Sequence, residues 1–420
     1  MLRARLVFTL IALAAAGGGV AAEKPPGCDH DTGITLPSGF CATVFADGLG
    51  VARHMVVAPD GVLYVALQSE NKGGAIVALR DSKGHGHADQ IVHFGSEGGS
   101  GIALYAGYLY FATPTSVLRY KLPVAADSRP ESVIGGFPAQ DEHAAKSIAI
   151  DAAGHLYVNV GAPSNACQRD DRAPGSPGRA PCPLLAEHGG IWLFDADKTG
   201  QHFPRDGRRY ATGIRNAVAL AWLAPLNALY AAQMGRDQLA DNWPKFFTDE
   251  QSAELPAEEL FRVEQGDDFG WPYCYYDQLQ GKKVQAPEYG GDGKKQGDCA
   301  KYGQPLAAFP GHWAPEALLV YEGRQFPAHY QGGLFVSFHG SWNRAPLPQA
   351  GYKVVFLPFR DGKPGAYQTF ADGFAGMDKI VGSGDAHYRP MGLAQGPDGS
   401  LYIGDTQRGR IWRVVYTGQP

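Results

Sequence analysis

A turn followed by a short aromatic strand recurs six times along this chain. The copies are Gly61–Ala66, Gly107–Ala112, Gly154–Asn159, Asn227–Ala232, Gly332–Ser337 and Gly399–Gly404. Each holds a Leu at its third position and a Tyr or Phe at its fourth. A glycine or asparagine turn ahead of a β-rich run is a strand signal. The flanks repeat as well. Apolar strands such as Met55–Ala58, Ser147–Ile150 and Met391–Ala394 precede the motif, two of them leading into Pro-Asp-Gly turns at Pro59–Gly61 and Pro397–Gly399. Others follow it, among them Ala75–Leu79, Gly190–Phe194 and Tyr352–Phe356. No long 3.6-residue periodicity competes with this pattern.

Strand, tight turn, aromatic strand, loop and third strand is the layout of a propeller blade. Six copies predict an all-β chain, a six-bladed β-propeller with antiparallel blades. At 420 residues the chain exceeds what one compact core organises; a propeller spreads its core between neighbouring sheets. Two unrelated β-sandwiches are the alternative, but the recurrence is even from residue 55 to 416 and no linker interrupts it. Phe40–Phe45 reads as a further strand, expected to pair beside Arg410–Val415 and close the ring. Insertions at about 162–188, 236–258 and 271–310 are expected as long loops on one face, where binding loops collect.

Arg3 and Arg5 precede an apolar run, Leu6–Ala15, and Val20-Ala21-Ala22 offers small residues before Glu23. This is the pattern of an export signal over residues 1–22, with 23–420 as a single propeller domain. The run is too short to span a bilayer. Export fits the even number of cysteines, which reads as disulfides. By proximity the pairs are Cys28–Cys41, Cys167–Cys182 and Cys274–Cys299. No Cys-x-x-Cys pair or zinc-spaced Cys/His cluster offers a metal site instead. The net charge of −5 argues against a broad nucleic-acid surface.

Loops feeding the innermost strands surround a propeller's channel mouth. His143 ends one such loop, five residues before Ile148, and histidine is the natural base near neutral pH. Arg215 and Asn216 precede Val218–Trp222, and Arg389 precedes the sixth repeat's strand. His143, Arg215 and Arg389 thus share one phase of the repeat and are expected to face one mouth. His339–Arg344 joins imidazole, indole and guanidinium, groups able to stack on and bind a planar anion, although a structural turn with Trp342 in the core explains it equally well. Gly235-Arg236-Asp237, with Asp241 and Asn242 behind, is the oxygen-rich kind of loop that calcium favours.

Together these pieces resemble the soluble pyrroloquinoline quinone (PQQ)-dependent sugar dehydrogenases, the glucose/sorbosone dehydrogenase family. The similarity runs from about Leu36 to Val415, and its most specific parts are His143, Gly213–Asn216, Phe269-Gly270-Trp271-Pro272 and Tyr388-Arg389. The resemblance implies PQQ over the channel and a calcium ion beside it. It implies His143 as general base, Arg215 near the quinone, Asn216 against the cofactor and Arg389 on a PQQ carboxylate. Gly235 and Arg236 match positions whose carbonyls bind the calcium, with Asp237 and Asp241 as further candidate ligands. His339 stands where the glucose enzymes carry lysine, His387 where they carry a second arginine, and Ser96-Glu97-Gly98-Gly99 in place of a glutamine loop, so that His339 and Glu97 become cofactor candidates. The insertions look more like the sorbosone-type branch.

The expected function is therefore PQQ-dependent oxidation of an aldose or related sugar by a periplasmic or secreted enzyme. The partners implied are a small sugar and an external electron acceptor, since no Cys-x-x-Cys-His haem motif is present. A lactonase-type propeller hydrolase would need several inward carboxylates on a metal, where these loops offer His, Arg and Asn. A non-catalytic propeller binding protein or glycan would need no His143/Arg215/Arg389 constellation.

Overall fold

The computed structural model describes residues 28–418 except 30 and 361; the expected export signal lies outside the described residues. Six antiparallel sheets form the blades, five of them four-stranded; the second blade also takes a fifth strand, Gln201–His202, which pairs parallel at its outer edge. Their innermost strands are Ala52–Val57, Ile102–Tyr105, Ile148–Ile150, Ala219–Leu223, Pro315–Val320 and Pro390–Gln395. Each contacts the next, and the last contacts the first. The ring has six blades, as the repeat requires.

Every copy of the repeat forms the second strand of its blade. Side chains alternate between the faces of a strand, so neighbouring Leu and Tyr point opposite ways. Leu63, Leu109, Leu156, Leu229, Leu334 and Leu401 are fully buried, and the aromatic residue after each is at most 6% exposed. Leu109 packs with Tyr64 of the blade before, Leu156 with Tyr110, and Leu229 with Tyr157. Leu334 packs with Tyr230, Leu401 with Phe335, and Leu63 with Tyr402. Six cores therefore lie between blades, each built by two neighbours. Burying one such leucine contributes about 1.5–3 kcal/mol, and no blade buries its leucine without the blade before it.

Phe40–Ala46 completes the sixth blade by pairing antiparallel with Ile411–Tyr416, from Phe40 opposite Tyr416 to Ala46 opposite Ile411. The three disulfides are those read by proximity.

The third and fourth blades carry the long connections. Residues 161–189 and 234–257 link second to third strands, and 264–306 links the third strand of the fourth blade to its fourth. In an antiparallel blade this last connection starts at the opposite end. It climbs back along the outer strand of the third blade, where the Trp271 amide donates to the Gly213 carbonyl at 2.9 Å. There Trp271 Nε1 donates to the Asn165 carbonyl at 3.0 Å and Glu288 pairs with Arg236. All three insertions thus meet at one rim. Two short helices, Leu239–Asn242 and Asp249–Glu254, lie in the second insertion.

Candidate active site

A cleft of about 270 Å³ opens at that rim, with His143 and Arg215 in its wall. His143 sits at φ +54, a backbone region that non-glycine residues seldom adopt. Gly161 makes room for it. A Cβ at 161 would come within 2.7 Å of both His143 Cβ and Asn216 Oδ1. The Nδ1 of His143 lies 2.6 Å from the Ala162 carbonyl. A carbonyl only accepts, so Nδ1 carries the proton and Nε2 keeps its lone pair. Burial, and then the Arg215 charge, lowers the His143 pKa to about 4. The imidazole is neutral at physiological pH, with Nε2 ready to take a proton.

Arg215 is 3% exposed. Its Nη1 donates to the Gly235 carbonyl at 2.5 Å and its Nη2 to Asp237 Oδ2 at 2.9 Å. Asp237 in turn accepts from Arg172 Nη2 at 3.1 Å and lies 3.6 Å from His312 Nδ1. Burial alone would raise the Asp237 pKa, but Arg215, His312 and Arg172 hold it well below the carboxylate range. Arg172 also reaches Glu142, beside His143, with Nε at 3.2 Å and Nη2 at 3.3 Å from its two oxygens. One guanidinium therefore braces the carboxylate next to His143 to the carboxylate that aims Arg215. It arrives from the loop closed by the Cys167–Cys182 disulfide.

Glu258 lines the cleft as well. Its oxygens accept the Gly235 and Ala314 amides at 2.9 and 3.1 Å, and burial pushes its pKa up to about 7. His312 donates Nε2–H to the Ser252 carbonyl at 2.8 Å. Its burial opposes protonation, but Asp237 outweighs that and raises its pKa.

Asn216 is buried beside Arg215, with Oδ1 accepting from Asn159 at 3.0 Å. Arg389 is not in the cleft wall. Its Nε and Nη2 donate to the carbonyls of His339 and Gly340 at 3.1 and 2.6 Å, so it grips the base of the loop whose next residues, Ser341–Asn343, do line the cleft. His339 turns its ring to Thr406 Oγ1, 2.6 Å away; burial, then Arg389 and Arg53, keeps that ring neutral. Glu97 is exposed and outside the cleft wall. Trp342 is exposed rather than in a core.

The oxygen set expected for calcium does not fit that ion as arranged. Asp237 is already closed by two guanidiniums and an imidazole. The Gly235 carbonyl takes an arginine N–H, the Arg236 side chain donates to the Asp237 carbonyl, and Asp241 is solvent-exposed. Among the described residues no group of three or more His, Cys, Asp or Glu side chains could hold a metal. Calcium wants oxygens with uncompensated negative charge, and here the charge is spent on arginine. Arg172, Glu258 and His312 escaped the sequence reading. The insertion carrying Arg172 was legible; the residue within it was not.

A family model described as TrAA12-like matches residues 34–417. An uncharacterised protein of Borreliella burgdorferi is 31% identical over 208 residues, 49% of this chain and 48% of that protein. A pyrroloquinoline quinone-dependent pyranose dehydrogenase of Coprinopsis cinerea is 26% identical over 286 residues, 59% of this chain and 37% of that protein. Each match thus spans less than half the length of the curated relative. The solved holo form of the pyranose dehydrogenase PQQ domain from Coprinopsis cinerea superposes with a TM-score of 0.72 at 18% identity, over 91% of this chain and 97% of that one. The calcium structure of the Trichoderma reesei family AA12 carbohydrate-active enzyme superposes with a TM-score of 0.72 at 17% identity, over 95% and 99%. At such identities the structural likeness shows the fold.

Proposed function

The chain belongs to the TrAA12-like family, and on that premise we propose that it oxidises an aldose or a related sugar with PQQ and passes the electrons to an external acceptor. The same reading takes residues 1–22 as an export signal and places the enzyme, with its three disulfides, in the periplasm or outside the cell.

The observation that carries it is the state of His143. Its Nδ1–H is fixed on a carbonyl, its Nε2 is unprotonated, and an arginine stands in the same wall. The donor set suits a planar tricarboxylate such as PQQ. Arg215 keeps a buried Nε without a hydrogen-bond partner, which a ligand acceptor would satisfy. Arg215 and Asn216 would hold the cofactor's ring system. Arg389 would meet a carboxylate through Nη1, the nitrogen of its guanidinium to which the described residues offer no acceptor. His339, bound to Thr406, and exposed Glu97 are left without a part.

When bound, PQQ supplies the two-electron oxidant to which the hydride of the sugar carbon passes. His143 Nε2 takes the proton of that carbon's hydroxyl, leaving a carbonyl. Arg215 sets fixed positive charge where negative charge develops, and Asp237 with Arg172 keeps it aimed. No step is assigned to calcium. A hydrolase built on inward carboxylates is not favoured, because Glu142 and Asp237 both carry cationic partners.

The test is to reconstitute the purified chain with PQQ, with and without Ca2+, and to follow reduction of an artificial acceptor over a panel of aldoses. PQQ-dependent turnover with at least one sugar is expected. No turnover with any of them would overturn the reading.

A further inference from the structure

The cleft that holds His143 is also lined by Trp342 and Asn343. Trp342 is 53% exposed and is the only exposed tryptophan among the described residues. It makes no ring contact there with another aromatic or a cation, whereas Trp192, Trp222, Trp243, Trp313 and Trp412 all do. An unpacked indole in water is unfavourable unless something covers it.

Its loop is not loose. On one side Arg389 holds the carbonyls of His339 and Gly340. On the other, Arg344 donates to the Ala253 and Gly311 carbonyls at 2.5 and 3.2 Å and to Glu254 at 2.5 Å. Between them Tyr352 Oη donates to the Ser341 carbonyl at 3.2 Å. The indole is therefore presented to solvent by a pinned backbone. Beside it, the Asn343 side-chain oxygen is buried with no hydrogen-bond partner, which is unfavourable for a lone acceptor unless a ligand donates to it.

A pyranose ring matches both features. One of its faces is a patch of C–H groups, suited to the electron-rich face of an indole, and its rim is a set of hydroxyl donors. We propose that Trp342 and Asn343 form the seat for the sugar, the indole stacking on the C–H face of a neutral pyranose while Asn343 Oδ1 accepts one of its hydroxyls. The inference rests on the sugar-oxidising reading above and deepens it. The sugar is taken in its ring form, and the reacting hydroxyl is presented to His143 by a rigid aromatic platform.

Kinetics of the PQQ-loaded enzyme with an aldopyranose test the seat. Trp342→Ala should raise KM about tenfold with kcat little changed, Trp342→Phe should recover most of that loss, and the affinity for PQQ should not move. A KM for Trp342→Ala within twofold of the parent's, or a loss confined to kcat and PQQ affinity, would overturn the proposal. A separate readout needs no turnover. Titration with the aldopyranose should change indole fluorescence in the parent protein and not in Trp342→Phe; an equal change in both would overturn the seat. A parent enzyme that is inactive on every sugar yet shows the Trp342-dependent change would sink the oxidation and leave the seat standing.

Discussion

Arg215 and Arg389 stand at the same point of the repeat, each just ahead of an innermost strand, yet their guanidiniums have different tasks. At the fourth-blade mouth Arg215 meets a carboxylate, Asp237, and is drawn into the cleft wall. At the sixth-blade mouth Arg389 meets two backbone carbonyls and is held beneath a loop. The fold places the Cα; the available counter-charge decides where the guanidinium goes. A blade repeat thus makes equivalent positions without making equivalent sites. The cleft's cationic groups gather where the insertions bring carboxylates.

The sharpest way to test this asymmetry is to remove the base on the insertion side. His143→Ala should lower kcat by about 10²–10⁴-fold with PQQ affinity kept, as measured by steady-state turnover and a cofactor titration. Parent-like turnover would remove His143 from its role. Next, Arg215→Ala should cost about 10²-fold in kcat, against about tenfold, mostly in KM, for Arg389→Ala. Equal losses in both parameters would break the comparison. Arg215→Ala should also show in denaturant unfolding, where stripping Asp237 of its main counter-ion should destabilise the fold by roughly 3–5 kcal/mol.

Replacing both Cys167 and Cys182 by Ser should reduce stability by about 2–4 kcal/mol. It should also lower kcat, because the loop delivers Arg172 to Glu142 and Asp237. The same double change at Cys28 and Cys41, far from the insertions, should cost stability and leave kcat alone. The smallest effect concerns pH. His143 must be neutral to act, and burial with Arg215 sets its pKa at about 4. The base therefore loses function only as pH falls through about 4, and kcat/KM should change little between about pH 5.5 and 7 on its account. An acid limb near pH 6.5 would mean that the imidazole is not buried against Arg215 as described.

The architecture was legible because it is written locally and six times. A two-residue Leu-Tyr alternation after a turn is enough to assign both faces of every second strand, and Phe40–Phe45 was left over with only one edge to join. The disulfides were readable because each joins neighbours in the chain. The site was only half legible. His143 and Arg215 lie in phase with the repeat and could be found. Arg172 could not, since Arg169-Asp170-Asp171-Arg172 reads as a solvated run of charge until the disulfide loop folds over the cleft. Glu258 reads as the polar start of a strand, and acids there are ordinarily exposed. The charge balance around the calcium candidates was illegible for a related reason. Counting oxygens along Gly235–Asp241 takes no account of Arg215, from the loop ahead of the same blade, or of Arg172, from the third blade's insertion, which spend the same charge.

The strand Phe40–Ala46 has a consequence for how the protein is made. It leaves the ribosome long before its partner, Ile411–Tyr416. Until that partner emerges, an apolar strand must wait unpaired, and the ring stays a string of five blades with one face of the first and one of the last uncovered. Contacts so distant in sequence are slow to form, and waiting edges attract other chains. Truncation ahead of Ile411 should therefore do more than shorten the protein: it leaves Phe40–Ala46 with nothing to close against.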